Sequence, residues 1–400
     1  MPGSTAANVD SAKANLAGTF VNAFVNAGFG NDKLMAKAEE GNSWVYKNKD
    51  HGMLSAAASL GLSLLWDTDD GLSQVDKYTY SSEEYIKAGA LLATGILNCG
   101  IRTEADAAIA LLSEHVENKS VPLKTSAIIG LGLAYAGAQR EDVMALLLPF
   151  VADDGVSMEI ASLASLALGF IFVGSGNGDV ASTILQTLME RDDKQLDEKW
   201  ARFMVLGLAL LYLGMSEASH AFVEQGLQGL SFLGLQDGSD ATIATLKAIE
   251  HQISQTAVVL VDMCSFAGTG NVLKVQELLH YCDEHIDKTP KEKKDDEEKK
   301  DEKDAAPEEP PKDDTFQAFA VIGIALVAMG EEIGSEMSLR QFNHLVCCPS
   351  LHASTRCSHS LLDALRRANN PEGRPSCPWS CQRVKSPAAN HGHALKVQPR

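Results

Sequence analysis

"IIGLGLAYAG", Ile128 to Gly137, places three glycines among aliphatic residues and has the look of a nucleotide loop. A phosphate loop needs a strand before it and a helix N-terminus after it, and its Walker form needs Gly-Lys-Ser/Thr. "AQREDV" follows instead, and β-branched strand signals are sparse upstream. The pattern also recurs along the chain, and one nucleotide site per copy is implausible.

With Gly137 as an anchor and small residues five and seven positions before it, the frame repeats. "ALLATGILNCG" ends at Gly100, "ASLALGFIFVG" at Gly174, "MVLGLALLYLG" at Gly214 and "AVIGIALVAMG" at Gly330. Looser copies end at Gly28 and Gly268, and in "SAAASLGLSLLW" Trp66 occupies the anchor slot. From Gly28 to Gly214 the anchors lie about 34 to 40 residues apart, the period of helical-pair repeats. The glycine-rich "GSGNGD" at Gly174 and "GTGN" at Gly268 occupy the same turn and share its reading.

Upstream of each anchor runs a segment rich in Ala, Gly and Leu, apolar on all sides and therefore expected to be a helix buried all round. Downstream comes an amphipathic segment such as "REDVMALLLPFV" or "GDVASTILQTLMER". In the latter, Val180, Ile184, Leu185 and Leu188 share a helical face that Asp179, Gln186 and Glu190 avoid. Each unit thus reads as a buried inner helix, a turn in which Gly adopts the left-handed conformation, and a half-exposed outer helix capped by Asp179 or Asn271. The fold class is all-α: helical hairpin repeats stacked into a partial toroid or solenoid.

Bulk properties narrow the function. A net charge of -19 leaves too few cations for general nucleic-acid binding. The apolar stretches from Ile160, Phe203 and Phe319 are shorter than the roughly 18 residues a membrane span requires. The N-terminal text has neither the cationic start nor the apolar core of a signal peptide, and Cys99, Cys264 and Cys282 are scattered singly, so a reducing interior is expected.

Two stretches break the pattern. "DEHIDKTPKEKKDDEEKKDEKDAAPEEPPKDDT" cannot bury enough surface to offset its ordering entropy and reads as a disordered insertion over 283–315. It separates repeats in 1–282 from a further repeat in 316–346. From 347 to 400 the text turns basic and rich in Cys, Ser, Pro and His. A zinc module is one reading, yet "CC" and "CPWSC" lack the Cys-x2-Cys spacing of structural sites. The other, adopted here, is an unstructured tail foreign to the array, as a frameshift or retained intron would produce.

With those features in place, "YKNKDHGMLSAAASLGLSLLW", "DKYTYSSEEYIKAGALLATGI", "GLGLAYAGAQREDV", "NGDVASTILQTLMER", "FAGTGNVLKVQELLH" and "VIGIALVAMGEEIGSEMSLRQFNHL" closely resemble the proteasomal branch of the proteasome/cyclosome repeat family, over roughly residues 10 to 346. The resemblance implies a non-enzymatic scaffold of the proteasome regulatory particle, in cytoplasm and nucleus, in contact with the ATPase subunits and other regulatory-particle subunits. It also implies receptor sites for ubiquitin, for ubiquitin-like domains of shuttle factors and for a deubiquitinating enzyme. The family's acidic receptor positions fall on Asp179 and Glu190, with Gln186 where some relatives are acidic. Glu141 and Asp142 flank on one side and Glu217 on the other. The family's chain has a large region before this one and further repeats after it, so the end units are expected to lack capping neighbours and the product to be poorly soluble or partner-dependent.

No cofactor, metal site or catalytic set is expected from the residues. His51, His115, His220, His251 and His280 stand isolated, and a hydrolase built on Cys264 or Cys282 with His280 is the rival class. A general helical-solenoid adaptor without ubiquitin binding is the other alternative.

Overall fold

The computed structural model describes residues 11–30, 34–35, 44–215, 238–283 and 315–329. The expected tail over 347–400, most of the insertion, the repeat beyond residue 329 with its anchor Gly330, and Glu217 lie outside them. Among the described residues there are helices and turns and no strand.

The helices are α1 (Ser11–Val25), α2 (His51–Ser63), α3 (Asp70–Thr79), α4 (Glu84–Leu97), α5 (Ala107–Leu112), α6 (Val121–Ala134), α7 (Glu141–Ala152), α8 (Met158–Ile171) and α9 (Gly178–Glu190). There follow the single turn α10 (Asp193–Leu196), then α11 (Ala201–Leu211), α12 (Gly238–Lys247), α13 (Ile253–Ser265), α14 (Val272–Asp283) and α15 (Thr315–Val327). α1, α2, α4, α6, α8, α11, α13 and α15 pack each on the next as an inner row. α3, α5, α7, α9, α12 and α14 lie outside it. This is the alternation of buried and amphipathic segments that the sequence predicts.

Close approach in the inner row depends on small residues. A Cβ on Gly95 would lie 2.3 Å from the backbone of Gly130 in the next rung, and one on Gly132 would lie 2.7 Å from Ala167. No side chain fits there, so Gly130 and Gly132 of "IIGLGLAYAG" are helix-packing residues. α8 shows the consequence: all but three of its residues are buried, the exceptions being Glu159, Leu163 and Phe170.

The anchors behave as one device. Gly28, Gly100, Gly137, Gly174, Gly214 and Gly268 all have positive φ, and Trp66, in the same slot, is held at φ 71. The Gly137 amide donates to the Phe170 carbonyl at 2.9 Å, and the Gln139 amide to Ile171 at 3.0 Å. Gly174 and Gly176 donate in the same way to Leu210 and Leu211, and Gly268 and Gly270 to Leu326 and Val327. These turns therefore satisfy carbonyls that the next inner helix leaves orphaned at its C-terminus, and at the Gly100 turn the Arg102 guanidinium reaches the Ala134 and Ala136 carbonyls instead. These amides are engaged within the fold, which removes them from any phosphate cradle.

The bonds from Gly268 and Gly270 carry a second meaning. They join α13 to α15 across the insertion, so rung follows rung although α14 ends at Asp283 and α15 starts at Thr315. The insertion leaves the stacking order intact.

Two details differ from the sequence reading. Asn177, rather than Asp179, caps α9: its Oδ1 accepts from the Val180 amide at 3.0 Å. Asp179 is the second helical residue and points outward. Asn271 does cap α14, accepting from the amides of Leu273 and Lys274. The second difference is α1, expected to be buried all round, whose Phe20, Val21, Phe24 and Val25 are exposed.

Candidate recognition face on the outer helices

The outer helices α7 and α9 lie side by side. Val143, Leu147 and Val151 of α7, and Val180, Ile184 and Leu188 of α9, are all at or below 1% exposure. That apolar stripe at spacing three to four leaves the opposite faces in solvent. Two side chains, one in α9 and one just past its end, bind the end of α7 and the turn after it. Thr187 donates through Oγ1 to the Val151 carbonyl at 3.0 Å. The nearly buried Arg191 donates to the carbonyls of Asp153, Asp154 and Val156 at 2.8 to 3.0 Å. The relative position of the two exposed faces is thereby fixed.

On α9 the exposed residues include Asp179, Ser182, Gln186, Met189 and Glu190. Asp179, Gln186 and Glu190 are seven and then four residues apart, so at 3.6 residues per turn they form one stripe about 16 Å long. Gln186 Nε2 donates to Glu190 Oε1 at 2.9 Å, which orients that carboxylate and leaves its charge intact. Met189, 54% exposed, supplies an apolar surface beside it.

The α7 side is less acidic than its sequence suggests. Glu141 is exposed, but Asp142 is gripped by Arg140, with Arg140 Nε 2.7 Å from Asp142 Oδ1 and a second bond to Oδ2. That pairing holds the Asp142 carboxyl below its usual range and raises the guanidinium. Arg140 also reaches Asp106 at 2.9 Å. Asp106 in turn accepts from the Tyr135 hydroxyl, whose ionisation is pushed up first by burial and then by that bond. Asp142 thus belongs to a buttress between the α5 and α7 turns, whereas Glu141, Asp179 and Glu190 stand exposed outside it. The proximity of Arg140 in sequence was a signal that the charge count alone passed over. Glu217 lies outside the described residues.

Elsewhere, a groove of about 350 Å³ crosses the N-terminal ends of the inner helices, lined by His51, Tyr85, Pro122, Glu159 and Trp200 among others. The rival thiol–imidazole set is not assembled: Cys264 and Cys282 are buried, whereas His280 is exposed. Burial alone pushes the Cys264 thiol up to about 12, which leaves almost no thiolate near neutral pH. Among the described residues there is no metal-type cluster of His, Cys, Asp and Glu, and no helix long and apolar enough to cross a membrane.

A close-packed inner row, stapled turns and half-exposed outer helices define an α-helical repeat solenoid. Residues 126–160, which hold most of α6, its anchor turn, α7 and the start of α8, match the proteasome/cyclosome repeat, and the chain belongs to that repeat family. Along most of its length it is similar to one kind of member. It is 50% identical to the 26S proteasome regulatory subunit rpn1 of Schizosaccharomyces pombe over 92% of this chain and 37% of that protein. It is 44% identical to the 26S proteasome non-ATPase regulatory subunit 2 of Dictyostelium discoideum, over 87% of this chain and 34% of that one. Homolog A of the same subunit in Arabidopsis thaliana is also 44% identical, over 86% of this chain and 34% of its own length. The chain therefore spans little more than a third of the relatives it matches.

Proposed function

We propose that this chain is a non-catalytic scaffold segment of the proteasome regulatory particle, acting in cytoplasm and nucleus, whose α7–α9 face receives ubiquitin and ubiquitin-like domains. The inner row supplies a rigid frame for contact with the ATPase subunits and other regulatory-particle subunits. Shuttle factors and a deubiquitinating enzyme, which carry ubiquitin-like domains, are the further partners of this reading.

The observation that carries the receptor role is the stripe of Asp179, Gln186 and Glu190 beside exposed Met189, held rigid by the bonds of Thr187 and Arg191. Ubiquitin and its relatives present an apolar patch rimmed with basic groups. Carboxylates flanking an aliphatic surface complement that patch by steering encounter and fixing register. The expected affinity is modest, because the charges are exposed and screened.

The test is capture of ubiquitin chains by the full chain and by Asp179→Arg/Glu190→Arg. Loss of capture with helical content unchanged supports the site. Unchanged capture removes it. Failure of the unaltered protein to capture ubiquitin favours a plain helical adaptor, a reading to which the neutralised Asp142 and the amide at Gln186 already lend weight.

A further inference from the structure

The repeat frame has two apolar positions that one hairpin fills with charge. Six residues before the anchor, the inner helices α6, α8 and α11 place Leu131, Leu168 and Leu208, each 0% exposed. Six residues after it, the outer helices α7 and α9 place Val143 and Val180, and the buried stripe continues at Leu147 and Val151 and at Ile184 and Leu188. Counted from Gly268, the same positions are Asp262 on α13 and Lys274 on α14, with the stripe continuing at Leu278 and Cys282. Asp262 is buried almost as deeply as those leucines, at 4% exposure, and the Lys274 ammonium reaches its Oδ1 at 3.0 Å.

The exchange changes how α14 is held. Valine and leucine gain by leaving water, so an outer helix docked through them resists opening in proportion to the area it buries. A buried ion pair gives up its hydration on docking, and the Coulomb attraction does little more than offset that loss, so an apolar pair of similar volume holds as well or better. Opening returns water to both charges. Lys274 also keeps a partner when α14 leaves, because its second bond, 3.0 Å to Glu277 Oε2, lies within α14. Asp262 stays behind with Lys247 of α12 acting on it at longer range.

α14 covers a seam of the inner row. Leu278 and Cys282 pack with Val259 of α13 and with Val321, Ile324 and Val327 of α15. α13 and α15 hold together without α14: the Gly268 and Gly270 amides bond the end of α15, and a Cβ on Gly323 of α15 would lie 2.8 Å from Met263 of α13. α14 also has a longer connection at its far end than α7 has. α7 ends at Ala152 and α8 begins at Met158, whereas α14 ends at Asp283 and α15 begins at Thr315. We propose that α14 is a releasable strap over the α13–α15 seam, which swings off as a unit while the inner row stays stacked, and that the buried Asp262–Lys274 pair sets how readily it does so. Release bares Val259, Ile324 and Val327 and leaves α7 and α9 in place. Of the outer helices α7, α9 and α14, the array opens first at α14.

Native-state hydrogen exchange of the full chain, read peptide by peptide, tests this. Amides of α14 are expected to exchange roughly tenfold faster than those of α7 and α9, while those of α13 and α15 stay slow. Placing the apolar frame residues there, Asp262→Leu/Lys274→Val, is expected to slow α14 by about tenfold and to leave α7 and α9 unchanged. Thiol alkylation gives a reading that needs no variant: Cys282 of α14, 2% exposed, is expected to react in the native protein, whereas Cys264 of α13, 3% exposed, reacts only on unfolding. The proposal is overturned if α14 is as protected as α9, if α14 and α15 exchange together, or if the double change leaves α14 at the parent rate. A Cys282 that reacts only on unfolding overturns it whether or not the double variant folds.

Discussion

The inner and outer rows of this molecule are made of the same helical hairpins yet answer to different constraints. In the inner row, backbone meets backbone: at Gly95 against Gly130 a single added carbon would sit 2.3 Å from its neighbour. In the outer row only one stripe of each helix is fixed, and residues such as Asp179 and Met189 contribute little to the frame. The difference teaches where stability ends and recognition can begin. Inner positions accept almost no change in size, while outer positions can vary in charge without moving the fold.

The largest expected effect comes from breaking the inner row. Gly95→Val places three carbons where none fits, and we expect a loss of about 3 kcal/mol or more, seen as an insoluble product or a collapsed melting transition. A variant that melts like the parent would refute the claim that the rows differ in tolerance.

A smaller effect, tunable by pH, tests the bond between the rows in the last described hairpin. Asp262 of α13 is buried and pairs with Lys274 of α14 at 3.0 Å. Burial pushes its carboxyl above the usual range, with the Lys274 charge opposing that shift. Because the folded pKa is raised, the folded state binds the proton more tightly than the unfolded chain does. Stability from this group therefore grows as pH falls through the folded pKa and is lost above it. Lys274→Met removes the counter-charge, so we expect about 2 kcal/mol of destabilisation at neutral pH that shrinks on acidification. Melting temperatures of both proteins across that range check it; a difference independent of pH would mean that the lysine acts through its packing.

Next in size is the cap. Asn177→Ala should cost about 1 kcal/mol in thermal melts, whereas Asp179→Ala should cost only a few tenths through the helix dipole. The reverse order would return the capping role to Asp179. Smallest in stability is Asp179→Arg/Glu190→Arg, expected within about 0.5 kcal/mol of the parent because both sites are exposed. In this variant ubiquitin capture should fall while the melting curve stays in place, which separates recognition from frame most sharply.

Most of this architecture was legible in one dimension because the repeat samples the same physics many times. A lone "GLGLAYAG" is ambiguous between a loop and a helix; with copies ending at Gly100, Gly174 and Gly214, a turn at helical-pair period is the consistent reading. The recognition face was less legible. Its carboxylates were visible, but the Arg140 grip on Asp142 depends on the αR, αL and extended choices in a turn that brings Asp106 across from the preceding unit. The exposure of α1 escaped the pattern altogether, since an apolar segment reads as buried whether or not anything lies on both sides of it.

The sequence by itself determined the all-α class, the hairpin unit, the left-handed glycine anchors, and the side of α9 that faces solvent. Those properties are set within about one turn or one repeat of chain, where 3.6-residue periodicity and the lack of a Cβ act directly. Only the tertiary structure decided that the amides of Gly137, Gly174, Gly214 and Gly268 close on the next inner helix, that Asp106 of the preceding unit reaches Arg140, and that α15 stacks on α13 despite the insertion between α14 and α15. Those outcomes depend on groups tens of residues apart meeting at hydrogen-bond distance. No local pattern specifies such distances before the rungs are stacked.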